Sequence, residues 1–483
     1  MKKLATLLLA AGMVVASTAP ASAADVKLDG FYRYTFQTAS TGFQGENVEA
    51  TQQRMRLGLT IAASENLSGY TQFQIGTNAW GTAPKHGRRD DLQTRQMYID
   101  WKVPAAPVKV RMGRSQFGLP ADAFGGNMVM GAGWGPRDGI VLTANATEWL
   151  DVTAMWARAA FADNDNIHEN DHADVFGIAA NLKFDGFSFA PWFAYSTIDS
   201  DIATEEGWSY EYNHDTGVIA PDYSDDPVFG FGAHDGLNNS TSQGAADLLG
   251  CGSDSYYFGA TATLTAFDPF KLVVSAAYGN RSYNDANAVE GFLGEAAQDR
   301  KGWAAQAKAS YKLGFGTPIL AAWYSSGDDA NDQFRAGQLP GINPYSSPTG
   351  TFFDGGTGLT LGVDRYEHLG TWGVQAGIEG VSFLSGLTHT ATVTWIQGTN
   401  NSQNAAEKCE GADVEAWRYM TTGDSVVELA LTSDYAIYKN LVATLELAYL
   451  ISDFDKNVWQ NADGSNAYGE DDWRVGLTFT YKF

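Results

Sequence analysis

The sequence predicts an all-β fold, a closed antiparallel barrel of 18 strands that crosses a membrane, and three observations carry that prediction. Segments of about ten residues alternate apolar and polar side chains with period two almost to the end of the chain. The connections between these segments alternate between brief and long. After the first residues, no stretch holds the roughly 18 consecutive apolar residues that a spanning helix needs.

The chain opens with Lys2 and Lys3, an apolar run from Leu4 to Ala16, and a small-residue site at Ala21, Ser22 and Ala23. That order reads as an export signal over residues 1–23, cleaved before Ala24. A run of about 13 apolar residues is too short to be an anchor. Residues 24–483 contain no Pro- or Ser-rich linker, repeat or low-complexity tract. One large closed sheet accounts for so long an undivided chain.

In the first segment, Val26 to Gln37, the residues Val26, Leu28, Tyr32, Tyr34 and Phe36 share one face and Lys27, Asp29, Arg33, Thr35 and Gln37 the other, with Phe31 as the exception. In Thr51 to Ala63, Met55, Leu57, Leu59 and Ile61 stand opposite Arg54, Arg56 and Thr60. Further segments are Leu67 to Gly76, Leu92 to Val103, Val108 to Arg114, Gly139 to Ala146, Leu150 to Arg158, Asp174 to Phe184 and Phe187 to Ser196. After a gap follow Tyr256 to Thr265, Phe270 to Asn280, Gly302 to Leu313, Pro318 to Ser326, Thr371 to Gly380, Gly386 to Gly398, Ser425 to Tyr438, Leu441 to Ile451 and Asp472 to Phe483. Eighteen strands result, or 16 if a short segment such as Gly139 to Ala146 belongs to a loop. An even number leaves both termini on the periplasmic side.

Glu65-Asn66, Pro104 to Pro107, Asp185-Gly186 and Lys439-Asn440 are brief, as periplasmic turns are. Residues 197–255 and 327–370 read as long outer loops. In the last segment Trp473, Val475, Leu477, Phe479, Tyr481 and Phe483 alternate with Arg474, Gly476, Thr478, Thr480 and Lys482. This closing strand resembles the signal by which the barrel-assembly machinery recognises its clients, and the resemblance implies that role for Tyr481 and Phe483.

A composition of 53 Gly, 22 Tyr, 26 Phe and 14 Trp with only 14 Pro suits many strands, tight turns and aromatic girdles. A net charge of −25 argues against a nucleic-acid partner. From Asp199 to Asp254 there are twelve acidic residues and no Lys or Arg, which reads as a solvated outer surface or as a calcium-bridging surface toward lipopolysaccharide. Asp328, Asp329 and Asp332 place oxygen ligands close together without the Gly and distal Glu of an EF-hand, so a metal site and hydrated turn chemistry both remain open. Cys251 and Cys409 are the only cysteines, and a disulfide between them and two free thiols likewise both remain open. No GxSxG, HExxH or phosphate-loop motif occurs, and seven scattered histidines give no ligand spacing, so no catalytic residue is assigned and an enzyme is not expected.

The stretch VKVRMGRSQFGLPADAFGG, Val108 to Gly126, resembles the fifth strand and third loop of general porins. Most of the mature chain is similar to the homotrimeric porins of sulfate-reducing bacteria. The resemblance implies an outer-membrane homotrimer acting as a passive diffusion channel. It also implies a constriction loop over residues 115–137, formed or bordered by Gly113, Arg114, Phe117, Pro120, Asp122 and the glycines from 125 to 135.

Strand parity assigns Arg33, Arg54, Arg56, Lys109, Arg111, Lys183, Lys271, Lys308, Lys312, Arg474 and Lys482 to the lumen, with Asp29, Asp100, Asp151, Glu428, Asp434 and Glu446. Eleven cations against six anions make the wall basic, which favours small anions such as sulfate or organic acids. Either these arginines form a selectivity cluster facing the loop, or they pair locally with carboxylates. Two other functions compete: a substrate-specific, sugar-type porin with an aromatic slide, and a secreted soluble β-rich binding protein.

Overall fold

A computed structural model describes residues 25–41, 46–80, 92–131, 136–161, 172–198, 210–213, 218–221, 253–283, 299–330, 336–342, 346–349, 370–403, 419–460 and 471–483. The export signal, Cys251, Cys409, Asp332 and most of the acidic run from Asp199 lie outside them.

Eighteen strands form one antiparallel sheet. The first nine are β1 (Asp25–Thr41), β2 (Glu46–Ser64), β3 (Leu67–Ala79), β4 (Gln93–Lys102), β5 (Val108–Ser115), β6 (Arg137–Thr147), β7 (Leu150–Phe161), β8 (His172–Phe184) and β9 (Phe187–Ile198). The other nine are β12 (Ser253–Leu264), β13 (Phe270–Tyr283), β14 (Arg300–Tyr311), β15 (Thr317–Ser325), β16 (Thr371–Leu384), β17 (Leu387–Gly398), β18 (Ser425–Tyr438), β19 (Leu441–Asp453) and β20 (Asp472–Lys482). Between β9 and β12, β10 (Tyr210–Asn213) and β11 (Val218–Pro221) pair as a separate hairpin that alternation does not reveal. Residues 139–146, the short segment that the sequence left open as a loop, lie within β6, bonded to β5 and β7.

Each barrel strand pairs with its neighbours in sequence, and β20 returns to β1, so the sheet has no edge. That closure lets a sheet exist in hydrocarbon, where no water satisfies a bare amide or carbonyl. At the seam, Gly30 and Phe483 exchange two backbone hydrogen bonds of 3.1 Å each. Outside it, Tyr32 stacks on Tyr481 at 6.4 Å and meets Phe483 at 5.8 Å. Seam strands therefore bond along their backbones and through an aromatic cluster on the outer wall.

Parity sorts the two faces as the pattern predicts. Leu28, Tyr32, Met97, Ile99, Phe176, Ile178, Phe258 and Leu320 are exposed on the outer wall, where lipid would cover them. On the same strands, Thr35, Gln37, Gln96, Val175 and Tyr257, of the opposite parity, are buried on the inner side. Brief turns join strands at one end, including 65–66, 185–186, 385–386 and 439–440, and the long connections leave the other.

Gly30 leaves no room for a side chain at the seam, since a Cβ there would lie 2.3 Å from the Arg56 carbonyl and 2.8 Å from the Phe483 ring. Gly30→Val should cost about 1–3 kcal/mol by overpacking and lower the fraction of chain that migrates as a compact, heat-modifiable band in unheated detergent gels. An unchanged folded fraction would contradict this closure.

Candidate functional site

Strands β1 to β5 carry a basic inner wall. Arg33 and Arg54 are direct cross-strand partners, and Phe31 faces Arg56 in the same register. Phe31, the apolar exception to the first strand's pattern, lies under both guanidiniums, at 5.2 Å from Arg33 and 5.5 Å from Arg56. A ring face there holds like charges side by side without cancelling either.

Hydrogen-bond partners divide these cations into two kinds. Arg56 Nε donates to Gln74 Oε1 at 2.7 Å, and Arg95 Nη1 donates to Gln72 Oε1 at 3.1 Å. Gln72 also accepts from Gln96 Nε2 and donates to the Tyr70 hydroxyl, both at 3.1 Å. Neutral amides thus orient Arg56 and Arg95, and neither has a carboxylate partner among the described residues. Arg111 instead makes a bidentate pair with Asp100, at 2.7 and 2.8 Å, while stacked 4.0 Å from the Tyr98 ring. Lys109 bonds the same carboxylate at 2.8 Å. Lys308 pairs with Glu379 at 2.8 Å, and Lys183 pairs with Asp151. Local pairing with a carboxylate therefore holds for Lys109, Arg111 and Lys308, whereas Arg56 and Arg95 are held by amides.

Arg95 escapes the parity argument because it is the extra residue of a bulge: Gln72 pairs with Gln96 while Phe73 pairs with Thr94. Its strand neighbours Met97 and Ile99 face outward, and only the bulge turns Arg95 to Gln72. Arg137 is also new to the inner row, opposite the fully buried Ser115, with its guanidinium on the Pro136 carbonyl at 3.3 Å. Arg114 lies on the outer row, opposite Met97, in a half-exposed bidentate pair with Asp138 at 3.1 and 2.7 Å. Gly113, at φ 118°, permits close strand contact just before it, where a Cβ would lie 2.4 Å from the Met97 carbonyl.

After Ser115 the chain turns into the barrel. Phe117, Leu119, Met128, Val129 and Met130 pack in one cluster with Met155, Ala157, Val175, Trp192, Ala194 and Tyr257 of the inner wall. The loop is closed on itself by Leu119 N to Met130 O at 3.0 Å and by Asn127, whose Oδ1 accepts the amides of Val129 and Met130 at 2.9 Å. Its tip reaches the far wall, where Phe124 meets Trp323 of β15 edge-on at 6.0 Å. Asp122, 5% exposed, is packed into this loop.

A second connection, read from the sequence as an outer loop, also descends. Leu339 and Ile342 join the same cluster, and Ile342 N bonds Val129 O at 2.9 Å. Cross-strand neighbours Gly279 and Gly302 make the hollow it rests in: a Cβ at 302 would lie 2.3 Å from Leu339 N. Buried Arg281 pins it, with Nη2 on the Gly341 carbonyl at 2.7 Å and Nε on Ser255 Oγ at 3.0 Å. Asp328 bonds Gly337 N through Oδ1 at 2.7 Å and takes the Tyr419 hydroxyl on Oδ2, so both its carboxylate oxygens are engaged in a loop junction beside Asp329.

A porin-subfamily model, Porin_2, matches residues 270–477, which run from β13 into β20. No curated protein sequence matches the chain. Among solved structures, Pseudomonas aeruginosa OccK11 (OpdR) superposes with a TM-score of 0.52 at 12% identity, covering 95% of this chain and 96% of its own. OpdK of the same organism, solved with vanillate, gives 0.52 at 12% over 95% and 98%, and OprD gives 0.51 at 12% over 95% and 95%. The fold is the closed antiparallel barrel of these structures. At such identity the likeness concerns the barrel's strands and closure, and the porin-type sequence match lies in its second half.

In this barrel the fit of the second loop depends on two bare backbone positions. Gly302→Val should drive residues 338–339 off the wall and raise hydrogen exchange across 336–342, at a cost of about 1–3 kcal/mol. Exchange identical to the parent chain would refute the docking.

Proposed function

We propose that the protein is an outer-membrane channel through which small hydrophilic solutes diffuse passively, with a preference for anions such as sulfate and organic acids. One observation carries the preference: Arg56 and Arg95 are oriented by glutamine amides, which fix the guanidiniums and leave their charge in place. Fixed uncancelled cations beside a narrow aqueous path raise the local concentration of anions. The inward loop of residues 116–130 acts as the constriction in this reading, supported by its packing against the wall opposite the arginines. OpdK, superposable over 95% of this chain, was crystallised with vanillate, a carboxylate, which makes organic anions suitable test solutes. Export behind a cleaved signal and assembly as a homotrimer complete the proposal on the strength of the sequence resemblance.

Reversal potentials in a salt gradient across planar bilayers test it. A unit charge about 6 Å from a permeating ion in a water-like medium contributes roughly 0.7 kcal/mol, a factor of about three in permeability. Arg56→Gln and Arg95→Gln should each lower the anion-to-cation ratio by about that factor, whereas Asp100→Asn, which removes the one carboxylate shared by Lys109 and Arg111, should raise it. Cation preference in the parent channel would overturn the selectivity claim, and absence of conductance the channel itself.

A further inference from the structure

On β4 to β6 the outer wall carries a charged pair at a depth where the opposite wall is apolar. Trp101 of β4 faces outward beside the brief turn at 104–107, where an interfacial aromatic belongs, and Val110 of β5 is its cross-strand partner. Four residues along β5, from 110 to 114, Arg114 faces outward opposite Met97 and pairs with Asp138 of β6. Four residues of strand measure about 13 Å, or about 10 Å along the membrane normal at a tilt of about 40°, which is well inside an apolar band about 25 Å tall. On the opposite wall Tyr311 takes the place of Trp101, and four residues on, from 311 to 307, Ala307, Ala322 and Val374 stand in one cross-strand row.

The wall is also low at this point. β5 has 8 residues, against 17 in β1 and 19 in β2. Eight residues span about 20 Å along the normal, less than the apolar band. The pair is open to whatever lies outside, with 48% of the Arg114 side chain and 56% of the Asp138 side chain exposed. Arg114 uses Nε and Nη2 on Asp138, and its Nη1 donates to none of the described residues. Acyl chains offer nothing to that donor or to the remaining lone pairs of the carboxylate, so an exposed ion pair at this depth is costly in lipid.

We propose that the outer face of β4 to β6 docks against a second copy of this chain, which covers the Arg114–Asp138 pair with protein where lipid would otherwise meet it. Charge complementarity selects a copy as the occupant: the same pair on a neighbour presents a carboxylate to Arg114 and a guanidinium to Asp138, and such pairs close a network when copies meet at this face. The apolar side chains on either side, Met97 at 59% and Leu142 at 43% exposed, supply the greasy border of the contact. Arg158 and Asp174 continue the same cross-strand row, but they lie near the loop ends of β7 and β8, at headgroup height, and need no such cover.

The inference rests on the membrane reading above, and one experiment separates the two. In a chain carrying Cys251→Ser and Cys409→Ser, a nitroxide is attached at Met97→Cys or at Leu320→Cys on β15, and each protein is reconstituted in phosphatidylcholine vesicles. The Leu320 label should be relaxed strongly by oxygen dissolved in the hydrocarbon. The Met97 label should lose that relaxation and show dipolar coupling between chains, which an excess of unlabelled chain abolishes. Adding Arg114→Glu should abolish the coupling and bring the detergent-solubilised protein to the mass of one chain, and Asp138→Arg on top of it should restore both. Should the glutamate variant fail to fold, the two labelled chains still decide the matter. A Met97 label as open to oxygen as the Leu320 label means lipid on this face and overturns the interface. A shielded Met97 label without coupling means some other cover and overturns it as well. A Leu320 label closed to oxygen overturns the membrane reading itself, and the interface with it.

Discussion

In hydrocarbon an amide or carbonyl without a partner costs several kcal/mol, and the seam between β1 and β20 is where that cost would fall. Nine registered pairs, from Phe31 with Lys482 to Ala39 with Arg474, remove it. The strand that begins at Asp25 must therefore pair with the last strand before either is stable in hydrocarbon. Gly30 and the terminal Phe483 are matched to each other at that point, a residue without a side chain beside one with a large ring. Closure then imposes the rest: with no edge and no free face, every side chain points to lipid or to the lumen.

Lumen charge is the next consequence. Arg33, Arg54, Arg56 and Arg95 share a short arc of wall, and their mutual repulsion has to be offset locally. Carboxylates would do so most strongly and would also erase the field. At Arg56 and Arg95, glutamine amides make weaker, neutral contacts that keep the charge. On the same strand as Arg95, Asp100 takes the other course and pairs with both Arg111 and Lys109, which halves their charge. The wall thus holds an amide-oriented section beside a carboxylate-paired one, set by the residues that face each cation across the strands.

Alternation with period two was enough to read all 18 barrel strands, and in Thr51 to Ala63 the apolar–basic contrast set Arg54 and Arg56 on one face, in register with Arg33 and Phe31 of β1. Parity fails wherever register does. Arg95 sits in a bulge that no residue of β4 announces. Arg114 is a different case: strand parity turns it outward, where it pairs with Asp138, and only the resemblance to porin loops had set it at the constriction. Nor does parity know what a face will meet. Val175, Ala194 and Ala277 look like ordinary small lumen residues, and only the fold shows them buried under two loops. The paired glycines 279 and 302 hint at close backbone approach, but what approaches, residues 338–340, lies far along the chain beyond β15.

Those buried loops also change what the arginines can do. Around the ring, the clustered loops pack on β7 to β9 and β12 to β15, and the charged arc lies on β1 to β5. A dense apolar mass has low polarisability, so charges facing it are screened less than charges facing water. One side of the lumen therefore supplies the field and the other keeps solvent from quenching it. Substituting an arginine would weaken the first, and freeing either loop would weaken the second by admitting water. The Ile342–Val129 bond and the Arg281 pin thus act on the field as directly as the guanidiniums do, although neither contributes an uncancelled charge to it.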